Sequence, residues 1–136
     1  MSVDEIIESE ARINRVSPAI VRGIITQESK WNEEAASSKG AIGLMQLTIP
    51  TAKAHCGLSD PELIKDPKIN IQCGTKIFAD YLKGRRNNVE LALVEYNGGD
   101  KCVKSRRCKE SENFWKSVIN HSVLVTKSPI LYFEEA

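Results

Sequence analysis

The chain has 136 residues, 41% of them hydrophobic, and a formal net charge of +1, enough for one compact domain and too little for a second core of useful size. Residues 1–66 carry 7 Lys/Arg against 10 Asp/Glu, and residues 67–136 carry 12 against 8; this mild asymmetry excludes a nucleic-acid footprint as a reading. No apolar run approaches a membrane span and the acidic start "MSVDEIIESE" lacks a signal-peptide pattern, so we expect no stable membrane insertion and no export signal within these residues.

In chain order, Ser2 and Glu5 have capping-box spacing before an apolar side of Ile6, Ile7 and Ala11. Ser17 with Pro18 reads as N-cap and first position of a second helix, in which Ile20, Val21, Ile24 and Ile25 recur at helical spacing up to Ser29 or Lys30. "NEEAASSKGAIG" reads as an ordered loop, followed by a short helix from Pro50 to His55 that stops at Gly57. Asp66 and Pro67 open the longest predicted helix, which turns Cys73, Ile77, Tyr81 and Leu82 inward and ends at Gly84. Another runs from after Asn88 to about Tyr96, with Leu91, Ala92, Leu93 and Val94 apolar on every side. "NGGDKCVKSRRCK" reads as loop, Ser111 as the cap of a last helix, and "SVLVTKSPILYFEEA" as a strand pair or extended arm. The expected class is mainly α, one domain over residues 1–136.

The four cysteines lack the close paired spacing of a zinc site. Cys102 and Cys108 flank a short segment and could bridge locally, leaving Cys56 for Cys73, with other pairings and reduced thiols as alternatives.

Helical steps from Ile20 and Ile24, and from Val21 and Ile25, both arrive at Glu28. A carboxyl on an inward stripe in the last turn of a helix has its ionised form disfavoured by desolvation and by unpaired carbonyls, and so suits a general acid near neutral pH. The alternative is a surface glutamate paired with Arg22 or another cation. Downstream, Trp31 reads as an apolar wall, Ser37 and Gln46 as neutral hydrogen-bonding groups, and Met45 as an adaptable contact. Such a set suits a sugar better than a phosphate. No phosphate loop, Ser/His/Asp set or metal cluster competes, and His55 and His121 stand alone.

"ESKWNEEAASSKGAIGLMQL" resembles the signature of the soluble lytic transglycosylase catalytic domain, and "DPKINIQCGTKIFADYL" and "LALVEYNGG" resemble its later blocks in order, over roughly residues 17–103. The resemblance implies a lysozyme-like α-helical domain with a glycan-binding cleft. It also implies cleavage of the β-1,4 bond between N-acetylmuramic acid and N-acetylglucosamine in peptidoglycan, at the cell wall or in the periplasm. By position Glu28 corresponds to the single acid/base, Tyr96 to the tyrosine facing it, Ser37 to the serine near the acetamido group, Gln46 to a cleft polar residue, and Met45 and Asn97 to lining or supporting residues. No cofactor and no metal are implied, the partner is the peptidoglycan glycan strand, and a monomer is expected.

Departures from the family pattern are Glu33 in place of a Pro, Pro50 displaced by one residue, Glu95 before Tyr96 where a small residue is usual, and Gly98 in place of Ala. Glu95 raises the alternative of a hydrolytic muramidase if it, Glu33 or Glu34 can position a water; an inactive glycan-binding module is the third reading. "KCVKSRRCK" holds five cations, which read either as a solvated loop or as Lys104, Arg106 and Arg107 held at the cleft edge by Cys102 and Cys108 to meet anionic wall groups. The small size and lack of a leader point toward a phage or secretion setting.

Overall fold

The structure, a computed structural model, describes residues 1–126; the predicted strand pair or arm beyond Thr126 lies outside the described residues. Among the described residues there are seven helices and no strand: α1 (Val3–Asn14), α2 (Pro18–Ser29), α3 (Ile49–Cys56), α4 (Pro61–Lys65), α5 (Pro67–Gly84), α6 (Val89–Ser105) and α7 (Lys109–Thr126). Helix starts follow the side chains read from the sequence. Ser2 and Glu5 form the reciprocal capping box, Ser17 accepts the Ile20 N–H with Pro18 behind it, and Asp66 and Asn88 accept the N–H groups of Ile69 and Leu91. Each satisfies donors that a helix start leaves open, a cap being worth about 1 kcal/mol.

The elements differ from expectation in four places. The short helix α4 was not anticipated. The stretch after Tyr96 is helical rather than loop: α6 breaks at Gly99, whose φ of 81° and ψ of 178° interrupt it, then resumes to Ser105. Only glycine takes that conformation at little cost, so the break redirects the helix without ending it. Ser111 is not a cap, because α7 begins two residues earlier and buries Ser111 in its first turn, and residues 122–126 complete α7 instead of forming a strand.

Ile7, Val21, Ile24, Ile25, Leu44, Met45, Ile64, Ile71, Ile77, Phe78 and Leu93 form the centre of one core. Helix α2 packs chiefly on α7, α7 on α6, and α1 on α5. Both cysteine pairs are disulfides: Cys56–Cys73 ties the end of α3 to α5, and Cys102–Cys108 ties the last turn of α6 to the residue before α7.

The segment between α2 and α3 carries most of the candidate site residues and is held by a buried side chain. Asn70, on α5 and fully buried, accepts the Met45 N–H at 2.8 Å and donates to the carbonyls of Ile42 at 2.9 Å and Ile64 at 2.8 Å. Isolated bridges pair Ala36 with Ile42 and Ile42 with Leu47. The loop therefore has a fixed shape without a sheet. The displaced Pro50 is absorbed in the first turn of α3, where its missing N–H is no loss. Glu33 sits exposed in a turn in which Asn32 Oδ1 accepts the Glu34 N–H.

Candidate active site

A cleft of about 480 Å³ runs between the 37–51 segment and helices α2, α5, α6 and α7, lined by Glu28, Ser37, Gln46, Tyr96, Asn97 and Glu110 among others. Its floor is the end of α2, where the apolar stripe brings Glu28 to the cleft wall. Burial, and secondarily the negative charge of Glu110, push the Glu28 carboxyl up to about 8. At neutral pH it therefore holds its proton, as a general acid requires. No ion pair among the described residues involves Glu28, so the alternative pairing with Arg22 does not occur; Arg22 pairs with Asp4 and Glu8.

Tyr96 comes off α6 on the cleft side. Its ring stacks on Phe114, centroids 6.3 Å apart, and meets the edge of Tyr81 at 6.5 Å. Its hydroxyl donates to the Met45 carbonyl at 2.7 Å. Burial and the nearby Glu28 charge push its phenol well above the usual tyrosine range, so the proton stays on the oxygen. With that proton spent on Met45, the Tyr96 oxygen can serve Glu28 only as an acceptor, which suits the protonated acid.

Two more side chains show the same division of labour. The Ser37 hydroxyl oxygen accepts the N–H groups of Lys39 at 3.2 Å and Ala41 at 3.0 Å, which leaves its hydrogen to donate into the cleft. The Gln46 amide nitrogen donates to the Ala35 and Gly43 carbonyls at 3.2 and 3.0 Å, which leaves its oxygen as an acceptor. Asn97 lines the cleft and its Oδ1 accepts the Ser111 hydroxyl at 2.7 Å. Donor and acceptor thus stand on the loop in the arrangement that an acetamido or hydroxyl group would meet.

Several expectations are corrected. Met45 is fully buried and does not line the cleft: its thioether fills the space over Gly74, where an added Cβ would lie 2.4 Å from the sulfur. It supports the site through its backbone, whose N–H and C=O bond Asn70 and Tyr96. Trp31 is exposed, its indole N–H donates to Thr26 Oγ1 at 3.1 Å, and it forms no wall of the cleft. The basic segment is no free cluster at the cleft edge, since none of Lys104, Arg106 or Arg107 lines the cleft. The helical path of 100–105 sets Lys104 beside Asp100 at 2.9 Å, and Arg106 is clasped by Glu90 and Glu112. Of the three, only Arg107 has no ion pair among the described residues.

Glu95 lines the cleft, but its carboxylate is held by Arg85 at 2.9 Å, and Arg85 also pairs with Asp100 at 2.7 Å. It is a structural ion-pair partner. Glu110, unnoticed in the sequence, is a third carboxyl lining the cleft beside Glu28 and Glu95, from the first turn of α7. Its one signal was the preference for acids in a helix's first turn, which says nothing of a site. Among the described residues no group of three or more His, Cys, Asp or Glu side chains is placed to hold a metal ion.

An all-helical domain whose cleft presents one proton-bearing carboxyl among neutral hydrogen-bonding side chains has the lysozyme-like α fold that the sequence resemblance implies. Within that fold, the family model "Transglycosylase SLT domain" matches residues 5–118, and the chain belongs to this family. It is similar to a transglycosylase of Enterobacteria phage PRD1, 37% identical over 84 residues that cover 62% of this chain and 30% of the relative. It is also similar to membrane-bound lytic murein transglycosylase F of Pseudomonas putida, 33% identical over 122 residues that cover 82% of this chain and 24% of the relative. Among solved structures, an inactive Glu-to-Gln mutant of lytic transglycosylase Slt from Pseudomonas aeruginosa superposes with a TM-score of 0.84 at 22% identity, covering 92% of this chain and 24% of that one. The 70 kDa soluble lytic transglycosylase of Escherichia coli gives 0.84 at 23%, covering 90% and 24%. The chain thus spans 24% to 30% of the length of these relatives.

Proposed function

We propose that this chain is the catalytic domain of a peptidoglycan lytic transglycosylase, cleaving the β-1,4 bond between N-acetylmuramic acid and N-acetylglucosamine with Glu28 as its one acid and base. The observation that carries this is Glu28 itself: a carboxyl raised to about 8, unpaired, in a cleft of about 480 Å³ with neutral polar groups around it. Family membership and the likeness to a lytic murein transglycosylase support the same substrate.

In the first half-reaction Glu28 gives its proton to the glycosidic oxygen, and the C1–O bond breaks with oxocarbenium-like charge building on the muramic ring. The muramic acetamido oxygen stabilises that charge, held in place by the Ser37 hydroxyl hydrogen. In the second, Glu28, now a carboxylate, takes the proton of the muramic 6-hydroxyl as that oxygen bonds C1. The products are a free 4-hydroxyl end and a 1,6-anhydromuramoyl end, with Glu28 reprotonated and no water added. Tyr96 accepts from the Glu28 hydroxyl and keeps it aimed, while Gln46 and Asn97 line the sugar path.

Ordinary glycosidases need two carboxyls at set separations, one acting as acid and the other as nucleophile or base for water. Glu95 is taken up by Arg85 and neither Glu33 nor Glu34 lines the cleft, which weakens the sequence-based reason for favouring a hydrolytic muramidase. The chain is further proposed to act as a monomer, on wall material reached in the periplasm or from a virion or secretion apparatus. Purified sacculi incubated with the native protein and with Glu28→Gln test the reading. The native protein should solubilise them, and the variant should fold and release nothing; comparable release by both would refute it.

A further inference from the structure

We propose that Lys39 is a specificity-determining residue whose ammonium group takes a carboxylate carried on the 3-O-lactyl branch of the muramic residue bound at Ser37. This rests on the transglycosylase reading above and adds the charge preference of the same site.

The charges lining the cleft are Glu28, Glu95, Glu110 and Lys39. Glu95 is neutralised by Arg85, and the cations nearby on α5 and α6, Lys76 and Lys104, are paired with Asp80 and Asp100. Lys39 is the one cation among the described residues that lines the cleft, and it is in no ion pair among them. With Glu28 protonated, Glu110 leaves the cleft negative towards an acidic substrate, and Lys39 is the group that can offset it.

Its place is set by the same side chain that is proposed to hold the acetamido group. Ser37 Oγ accepts the N–H of Lys39 at 3.2 Å and of Ala41 at 3.0 Å, the Ser37 N–H donates to the Ala41 carbonyl at 3.0 Å, and the Gly40 N–H to the Ser37 carbonyl at 3.0 Å. The loop is closed on the Ser37 hydroxyl, so the Lys39 stem starts at a fixed position beside it. In a muramic residue the acetamido group is on C2 and the lactyl ether on C3, adjacent ring carbons. A sugar whose acetamido group meets Ser37 therefore sends its lactyl branch out within a lysine side chain's length. That branch ends in a carboxylate when unsubstituted and carries stem-peptide carboxylates when not. A compact ammonium on a flexible stem can meet either, where a planar guanidinium clamp would select one geometry.

The test is steady-state kinetics of the native protein, Lys39→Ala and Lys39→Arg on soluble glycan strands bearing peptide stems and on strands stripped of them, each before and after amidation of the carboxyls. Amidation should lower kcat/KM of the native protein, mainly through KM, by roughly two- to fivefold, the range of a solvent-exposed ion pair. Lys39→Ala should show that lowered value on untreated strands and no further response to amidation, with Lys39→Arg restoring part of it. A response on stripped strands alone identifies the lactyl carboxylate, and on peptide-bearing strands alone a stem carboxylate. Lys39→Ala retaining the full native response to amidation would overturn the assignment of Lys39 and leave the transglycosylase reading intact. A native protein that releases nothing from any preparation would overturn both.

Discussion

Glu28 is the point at which local chemistry departs from what stability alone would select. A carboxyl raised to about 8 in the folded chain and ordinary in the unfolded one binds its proton more tightly when folded. Its neutral burial is therefore fully tolerated below about pH 4.5, and stability is lost as pH rises from there towards 8, where the unfolded chain ionises and the folded one resists. Glu28→Gln should remove this slope, gaining on the order of 1–2 kcal/mol over the native protein at pH 8 and little at pH 4. Urea unfolding at the two pH values measures it, and a parallel loss of stability in both proteins would count against a buried, proton-holding Glu28. For activity the sign is the same: the acid is lost as pH climbs through about 8. Because Glu110 contributes to that rise, Glu110→Gln should move the alkaline limb of the rate profile to lower pH, and an unmoved limb would separate Glu110 from Glu28 electrostatically. The inward glutamate was legible because helical spacing alone leads to position 28. Met45 and Glu110 were not, since nothing in a sequence tells whether a loop thioether turns into the core or a first-turn acid turns towards a cleft.

Among the elements, the helix starts capped by Ser2, Ser17, Asp66 and Asn88 were legible, while α4, capped by Asp60, and the path after Tyr96 were not. Two glycines in sequence read as a stop, yet only Gly99 leaves the helical region. Gly98 stays within it for lack of space: an added Cβ would lie 2.3 Å from Ser111 Oγ and 2.5 Å from Cys102 Sγ. The glycine that departs from the family's alanine is thus the position over which the Cys102–Cys108 disulfide and the α7 start close. Gly98→Ala should destabilise by about 1–3 kcal/mol, and by less when Cys102 and Cys108 are both alanine; additive losses in that cycle would deny the contact. Asn70 has a larger part in the fold, since it bonds the Met45 N–H, the Ile64 carbonyl of α4 and the Ile42 carbonyl of the loop, the last shared with the Leu47 N–H. Asn70→Ala should cost about 2–4 kcal/mol by leaving the buried Met45 N–H without that acceptor and the two carbonyls without that donor, and should lower activity by loosening the segment that carries Ser37 and Gln46. Thermal unfolding within 1 °C of native would contradict that role.

For the whole molecule, the balance of charge is mostly internal. Arg22, Arg85 and Arg106 each bind two carboxylates on neighbouring turns or helices, so within the run of cations at 101–109 that reads as a wall-binding patch Lys104 pairs inside α6 and Arg106 fastens α6 to α7. Sequence patterns separate the two readings poorly because Glu90 and Glu112 lie 16 and 6 residues from Arg106 along the chain and become its neighbours only on folding. Reducing both disulfides should lower stability by about 2–3 kcal/mol each through the freedom returned to the unfolded chain, measurable as a fall in Tm with and without reductant. The mainly α class was legible, and the two cysteine pairs stood among alternatives the sequence left open; the cleft, which five segments build together, was not legible. The central claim is that one carboxyl in this cleft breaks the glycan without water. Mass analysis of the muropeptides released from purified peptidoglycan tests it most directly. Products ending in 1,6-anhydromuramic acid, one water lighter than reducing ends and absent with Glu28→Gln, are the predicted result; reducing-end products from the native protein, or anhydro products from the variant, would contradict it.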